Sequence, residues 1–477
     1  MKKRLILYLF ILIPISGFVN FLLADVAEAI PAFARKYNVT CTVCHTKPPR
    51  LNPFGEAFHM AGYQIPMTES GEILKKRKVG RVNLEKELLN IFAMRFTGNF
   101  VDWVQAEENE SELNLNFPQV AELYFAGTFT KDISYFLSFE HEASEIEGEG
   151  DEYRQGPRFG LSREAFLMFN LDRQVKKLFG GGDDGHKMDH GGEGGVMSHG
   201  PMIMIGKIDP STNFSYSTNR QFMEPITGQV DEGKIRRFTL QPFAFSSKFY
   251  GMRTGKGDLV EVTKPSLYNT TGDMGADFHG MVGPFLFEVG IMQGLQAGFQ
   301  DTNMNKDYYF VGRYNFGSKD YLSGSFSALY YTGNDTGTVK NASDSSKATL
   351  IDWVRYGFGF NVKYKLFDIY GAFMWDKIDD LPEATLEVFD DSASGFTIEA
   401  DYIATNELLL SVRYDRLDSG GFLAEKEDGE VVSLQARYYV RDNFALYLRD
   451  SYNLKSETVN PLNSYKNAAT FGVDFDF

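Results

Sequence analysis

The sequence predicts an all-β protein with a small α segment: a transmembrane β-barrel of about 16 strands behind a short N-terminal domain of different character. Three observations predict it. From Leu88 onward, apolar residues recur with a period of two. The chain is 15% aromatic, with 42 Phe and 25 Tyr, yet nothing after its first residues is an apolar run long enough for a transmembrane helix. The chain has only two cysteines, and both lie in one short motif ahead of the periodic region.

The chain opens with Lys2-Lys3-Arg4, a mostly apolar stretch from Leu5 to Leu23, and Ala27-Glu28-Ala29. A basic start, an apolar middle and a small-x-small end are the layout of a secretory signal peptide cleaved after Ala29. An uncleaved anchor is the competing reading, but Pro14, Ser16, Gly17 and Asn20 dilute the stretch. Residues 1–29 are read as signal peptide, 30–80 as the N-terminal domain with its linker, and 81–477 as the barrel.

The two cysteines fall in Cys41-Thr42-Val43-Cys44-His45. Exported chains normally pair their cysteines, but a disulfide at this spacing closes a tiny loop and adds little. A thioredoxin-like site needs a surrounding βαβ pattern, which the sequence lacks. His45 decides for c-type haem, with thioether bonds from Cys41 and Cys44 and the imidazole reaching the iron from one face. One covalently bound haem c is the expected cofactor.

A helix follows. Asn52 suits the N-cap, Pro53 the first helical position and Gly62 the C-terminal stop. Phe54, Ala57, Phe58 and Ala61 form an apolar stripe expected to lie on the haem. His59, Met60 and Met67 are the nearby candidates for the sixth iron ligand. At about 100° per residue, His59 lies about 150° from the stripe centre and Met60 about 110°. Neither points straight at a haem on that stripe; Met60 is the preferred distal candidate, His59 the alternative, and the plainer reading is that both are exposed and the ligand comes from elsewhere or is absent. About 40 residues cannot easily bury a haem, so another surface must close over it. Lys75-Lys76-Arg77-Lys78 and Arg81 beyond read as a solvated linker.

The barrel region alternates cleanly. Phe92, Met94, Phe96 and Phe100 oppose Ala93, Arg95, Thr97 and Asn99. Val354, Tyr356, Phe358, Phe360, Val362 and Tyr364 oppose Trp353, Arg355, Gly357, Gly359, Asn361 and Lys363. One face suits lipid and the other water. Such segments recur some 16 to 18 times, those at 237–250 and 258–267 among them; an even count of about 16 closes without exposed edges. A soluble alternating sheet needs a second layer over its apolar face, and few helical segments are available to make one. The last strand, Thr470 to Phe477, ends on phenylalanine, the terminal signature of bacterial outer-membrane barrels.

Glu107, Glu108, Glu110 and Glu112 crowd one connection, and Glu140, Glu142, Glu145, Glu147, Glu149, Asp151 and Glu152 the next on the same side. An acidic rim concentrates cations; a merely solvated loop is the plainer reading. The stretch 180–200 carries His186, Met188, Asp189, His190 and His199 among glycines without fixed ligand spacing, and reads as a flexible linker. The formal charge is −16, and −17 once three bases and two acids leave with the first 29 residues. That argues against nucleic acid as a partner.

The run Pro31-Ala32-Phe33-Ala34-Arg35, the motif Cys41-x-x-Cys44-His45-Thr46, Pro53-Phe54-Gly55, Phe58 and Gly62-Tyr63 resemble the outer-membrane monohaem cytochrome–porin fusions, the iron-oxidising c-type cytochromes of chemolithotrophic bacteria. The motif resemblance covers about residues 30–63; the barrel matches only in architecture and approximate length. It implies a haem segment plugging the lumen of an outer-membrane barrel. Extracellular Fe(II) would be the electron donor, a periplasmic c-type cytochrome the acceptor and outer-membrane lipid the surroundings. Cys41, Cys44 and His45 carry over; His59 and Met60 lie outside the resemblance. Outward transfer to an external acceptor, and a porin with a structural or sensory haem whose Arg95, Arg355 and Lys363 select anions, are the competing readings.

Overall fold

The computed structural model describes residues 32–37, 39–63, 76–79, 82–85, 91–106, 111–130, 132–142, 158–171, 174–175, 200–210, 212–215, 222–223, 227–231, 234–237, 252–253, 259–260, 273–293, 305–318, 322–340, 346–379, 392–418, 429–454 and 465–476. The signal peptide, Met67, residues 180–199 and most of the acidic connections lie outside them.

Sixteen antiparallel strands form a closed barrel. They are β1 (Phe92–Ala106), β2 (Ser111–Thr128), β3 (Ile133–Glu142), β4 (Arg158–Asn170), β5 (Met202–Ile208), β6 (Asp273–Val282), β7 (Phe285–Met292) and β8 (Asp307–Ser318). The second half is β9 (Leu322–Lys340), β10 (Ser346–Tyr364), β11 (Phe367–Asp379), β12 (Ser392–Ile403), β13 (Leu408–Asp418), β14 (Gly429–Arg441), β15 (Phe444–Asn453) and β16 (Tyr465–Asp476). Each strand pairs with its neighbours in sequence, and β16 pairs with β1, so the wall has no free edge.

The period of two becomes an outside and an inside. Along β10, Tyr356 and Phe358 are exposed, Phe358 by 62%, while Trp353, Arg355, Gly357 and Gly359 are buried. Phe310, Phe326, Tyr330, Leu434 and Leu448 continue the exposed apolar surface around the barrel, and a bilayer is the environment that covers such a belt. The lumen face is polar and ion-paired. Arg95 meets Asp474 at 3.0 Å, Arg437 meets the same carboxylate, and Arg413 meets Asp415 at 2.8 Å.

In two of the periodic segments, the described residues pair outside the wall. Lys234–Arg237 pairs locally with Thr227–Asp231, and Leu259–Val260 with Met252–Arg253; the rest of 237–250 and 258–267 lies outside the described residues. Alternation marks a strand with two unlike faces but does not say which sheet it joins. Both fall within the long 209–272 connection between β5 and β6. The linker holds a hairpin of Lys76–Val79 with Val82–Glu85.

The ends of the barrel differ. Short turns at 283–284, 365–366, 404–407 and 442–443 lie at one end, together with the start of β1 and the end of β16. Short turns mark the periplasmic end of such barrels and long loops the outer end. By strand order the 171–201 connection, which holds the Gly/His stretch, leaves from the short-turn end.

Residues 32–37 and 39–63 pack against inward-facing side chains of the wall at that same end. Their helices are α1 (Ala32–Tyr37) and α2 (Pro53–Met60). Phe58 and Tyr63 share one buried cluster with the wall residues Phe166, Met168 and Met202. The surface that about 40 residues needed is supplied by the barrel wall.

Candidate functional site

The cysteine motif is a tight turn fixed by its own backbone. Cys41–Val43 forms a single 3₁₀ turn, and the Cys44 N–H donates to the Cys41 carbonyl at 3.1 Å. His45–Lys47 then pairs with Arg50–Leu51. Asn52 ties this hairpin to α2. Its Oδ1 accepts from the Gly55 N–H at 2.9 Å, the N-cap bond, while its Nδ2 donates back to the Val43 carbonyl at 3.0 Å. Gly62, at φ +69°, ends the helix as expected.

Gly55 lets helix and motif touch. A Cβ there would lie 2.0 Å from the Cys44 carbonyl oxygen. Gly55→Ala is therefore expected to push α2 off the motif, at about 1–3 kcal/mol, and to lower the haem-to-protein absorbance ratio of purified protein. An unchanged ratio would show that the close approach is dispensable.

Cys41, Cys44, His45 and His59 line a single cavity. Phe33, Tyr37, Leu51, Phe54, Phe58 and Tyr63 give it apolar walls, and Ala93, Tyr124, Ala126 and Phe136 close it from the barrel side. Tyr63 stacks on Phe33 at 4.7 Å between ring centroids, and the His59 ring meets Tyr63 edge-on at 5.2 Å. Thr40, Asp442, Asn443 and Asp476 place its mouth at the short-turn end.

Only part of the apolar stripe of α2 faces the cavity. The cavity side of α2 is Phe54, Gly55, Phe58 and His59, whereas Ala57, Met60 and Ala61 are buried elsewhere. Because the helix is enclosed on both sides, its apolar stripe marks the cavity only in part, and side-chain-free Gly55 marks the real contact. Met60 does not line the cavity; its carbonyl accepts from His279 Nε2 at 3.2 Å. Of the two distal candidates, the structure brings His59 to the cavity with Cys41, Cys44 and His45 and leaves Met60 outside it.

The donor set fits a covalently held haem: two thiols and two imidazoles around one apolar-walled space. Burial, and then the neighbouring Cys41, push the Cys44 thiol up to about 11. Reactive Cys-x-x-Cys sites need a lowered thiol instead.

The residue that sequence reasoning missed is Arg50. It is fully buried, meeting Asp401 and Glu399 at 2.7 Å each and Asp368 at 3.4 Å. Its guanidinium lies over the rings of Phe222 and Tyr370 at 4.3 and 4.8 Å. The Lys363 ammonium donates to the Leu51 carbonyl at 3.0 Å, and Tyr439 donates to that of Pro48 at 2.6 Å. Arg95 and Lys363, read as anion selectors, are thus engaged by Asp474 and by the hairpin, and Arg355 is buried.

Among solved structures the chain is similar to porins. The Salmonella typhi OmpF complex with daunomycin matches at 11% identity over 81% of this chain and 97% of that one, with a TM-score of 0.49. An anion-selective porin from Comamonas acidovorans matches at 11% over 81% and 98%, with a TM-score of 0.47. Pseudomonas putida OprB at high pH matches at 9% over 81% and 94%, with a TM-score of 0.48. No family model and no curated protein matches the sequence.

Proposed function

We propose that the chain is an outer-membrane electron conduit that takes single electrons from extracellular Fe(II) and passes them, through one covalently attached haem c, to a periplasmic c-type cytochrome. The observation that carries the reading is the meeting of Cys41, Cys44, His45 and His59 around one cavity inside a closed, lipid-faced barrel. Cys41 and Cys44 would hold the haem covalently, and His45 and His59 would be its axial ligands. A haem held there supplies reversible one-electron transfer. Arg50, Lys363 and Tyr439 fix the hairpin to the wall, and the cavity mouth at the short-turn end gives a periplasmic partner its approach. The iron donor rests on the motif resemblance of residues 30–63. Outward transfer uses the same parts, and the midpoint potential separates the two directions.

The test is anaerobic visible spectroscopy of the purified, detergent-solubilised protein before and after Fe(II). Reduced c-type bands are expected to appear rapidly. A haem that dithionite reduces but Fe(II) does not would overturn iron as donor and favour another donor or outward transfer.

A further inference from the structure

Most of the buried carboxylate clusters in the wall have an arginine. Asp368, Glu399 and Asp401 share Arg50, Asp415 has Arg413, and Asp474 has Arg95 and Arg437. Asp277 on β6 and Glu288 on β7 break the pattern. They are 3% and 1% exposed, and among the described residues their partners are His279, Tyr309 and Asn213, with no lysine or arginine. Asp277 Oδ1 faces His279 Nδ1 at 2.6 Å. Glu288 accepts from Tyr309 Oη and from Asn213 Nδ2, each at 2.7 Å. One imidazole between two carboxylates leaves the patch short of positive charge, and a buried charge demands compensation.

Two oxygens there are also unused. Asp277 Oδ2 and Asn213 Oδ1 are buried without a hydrogen-bond partner, and Asn213 is itself 5% exposed. The Asn213 amide orientation is set by its donation to Glu288, so its oxygen is the free end. Asn213 reaches the lumen from the long connection after β5, which leaves from the outer end. On the other side, His279 donates to the carbonyl of Met60, the residue after His59. The patch therefore lies between the outer loops and the haem cavity.

We infer that Asp277, Glu288 and Asn213 form a divalent-cation site in the lumen, the station at which Fe(II) is held before it is oxidised; this rests on the iron-oxidising reading above. The donors are hard oxygens, suited to a ferrous ion that keeps part of its water shell. Among the described residues no three His, Cys, Asp or Glu side chains form a ready-made metal cage. A loose site of two carboxylates and an amide suits an ion that must arrive as Fe(II) and leave as Fe(III), giving one electron inward.

The test titrates Mn(II), followed by electron paramagnetic resonance, into the haem-loaded full chain in detergent. Folding is checked by heat-modifiable gel migration. Glu288→Gln is expected to weaken one Mn(II) site by about tenfold or more, equivalent to about 1.4 kcal/mol, and Asn213→Asp to tighten it. Identical titrations for wild type and Glu288→Gln would overturn the site and show that the two carboxylates share a proton instead. If Glu288→Gln fails to fold, Asn213→Asp decides alone, and an unchanged affinity sinks the proposal. Stopped-flow reduction by Fe(II) separates the two readings. A wild type that binds Mn(II) here but is not reduced by Fe(II) keeps the site and loses the iron function. Reduction of Glu288→Gln with an unchanged KM for Fe(II) keeps the function and loses the site.

Discussion

Arg50→Met is expected to destabilise the protein by about 3–5 kcal/mol, the range for removing one partner of a buried charge network. The reason is asymmetry. Asp368, Glu399 and Asp401 stay buried on β11 and β12, and the cation that met all three is gone. Methionine fills much of the same space between Phe222 and Tyr370 but supplies none of the hydrogen bonds. The anchor also bears on the haem motif, because Arg50 pairs with Lys47 and Leu51 with His45 in one short ladder. Arg50→Met should therefore lower the unfolding midpoint in urea and reduce haem loading. Arg50→Lys keeps the charge and loses the planar fork, so it should fall between the two. A full haem complement and wild-type midpoint in Arg50→Met would show that the hairpin is held by Lys363 and Tyr439 alone.

The barrel was legible because its physics is periodic. Two unlike environments on opposite faces force alternation, and Tyr356 against Arg355 reads the same in the sequence and in the wall. What alternation cannot encode is membership: Arg237, Leu259 and Val260 fall in segments that alternate, yet they pair in local hairpins outside the wall. The capped helix was legible as well, since Asn52, Pro53 and Gly62 act within a few residues of themselves. Contacts between distant segments were not. Arg50 looks like any residue of a polar turn until β11 and β12 bring it three carboxylates. Asp277 and Glu288 look like ordinary lumen polar residues until Asn213 arrives from a separate loop. The cavity side of α2 was legible only in part, through Phe54 and Phe58, for a related reason: an amphipathic wheel assumes one dry side, and this helix is buried on two.

Replacing His59 is expected to have the largest spectroscopic effect. His59→Leu should turn a six-coordinate, low-spin haem into a high-spin one, while Met60→Leu should leave both spectrum and potential near wild type. His59 lines the cavity with His45 and the cysteines, and Met60 does not. His59→Met is the sharper probe. It should restore a low-spin spectrum and raise the midpoint potential, as a thioether ligand does relative to an imidazole. A potential that falls in Met60→Leu, with His59→Leu silent, would return the ligand to Met60. The choice bears on the direction of electron flow. Two imidazoles set a lower potential than an imidazole and a thioether, which would make aqueous Fe(II) a weaker donor to a haem held by His45 and His59. Hard oxygen donors favour the ferric ion over the ferrous. On the proposed function, a ferrous ion held by Asp277 and Glu288 would thereby be a stronger reductant than one in solution, and a histidine-ligated acceptor and a carboxylate-lined donor site would be matched to each other. The combination predicts that Glu288→Gln slows reduction by Fe(II) more in wild type than in His59→Met, where the acceptor potential already supplies the driving force.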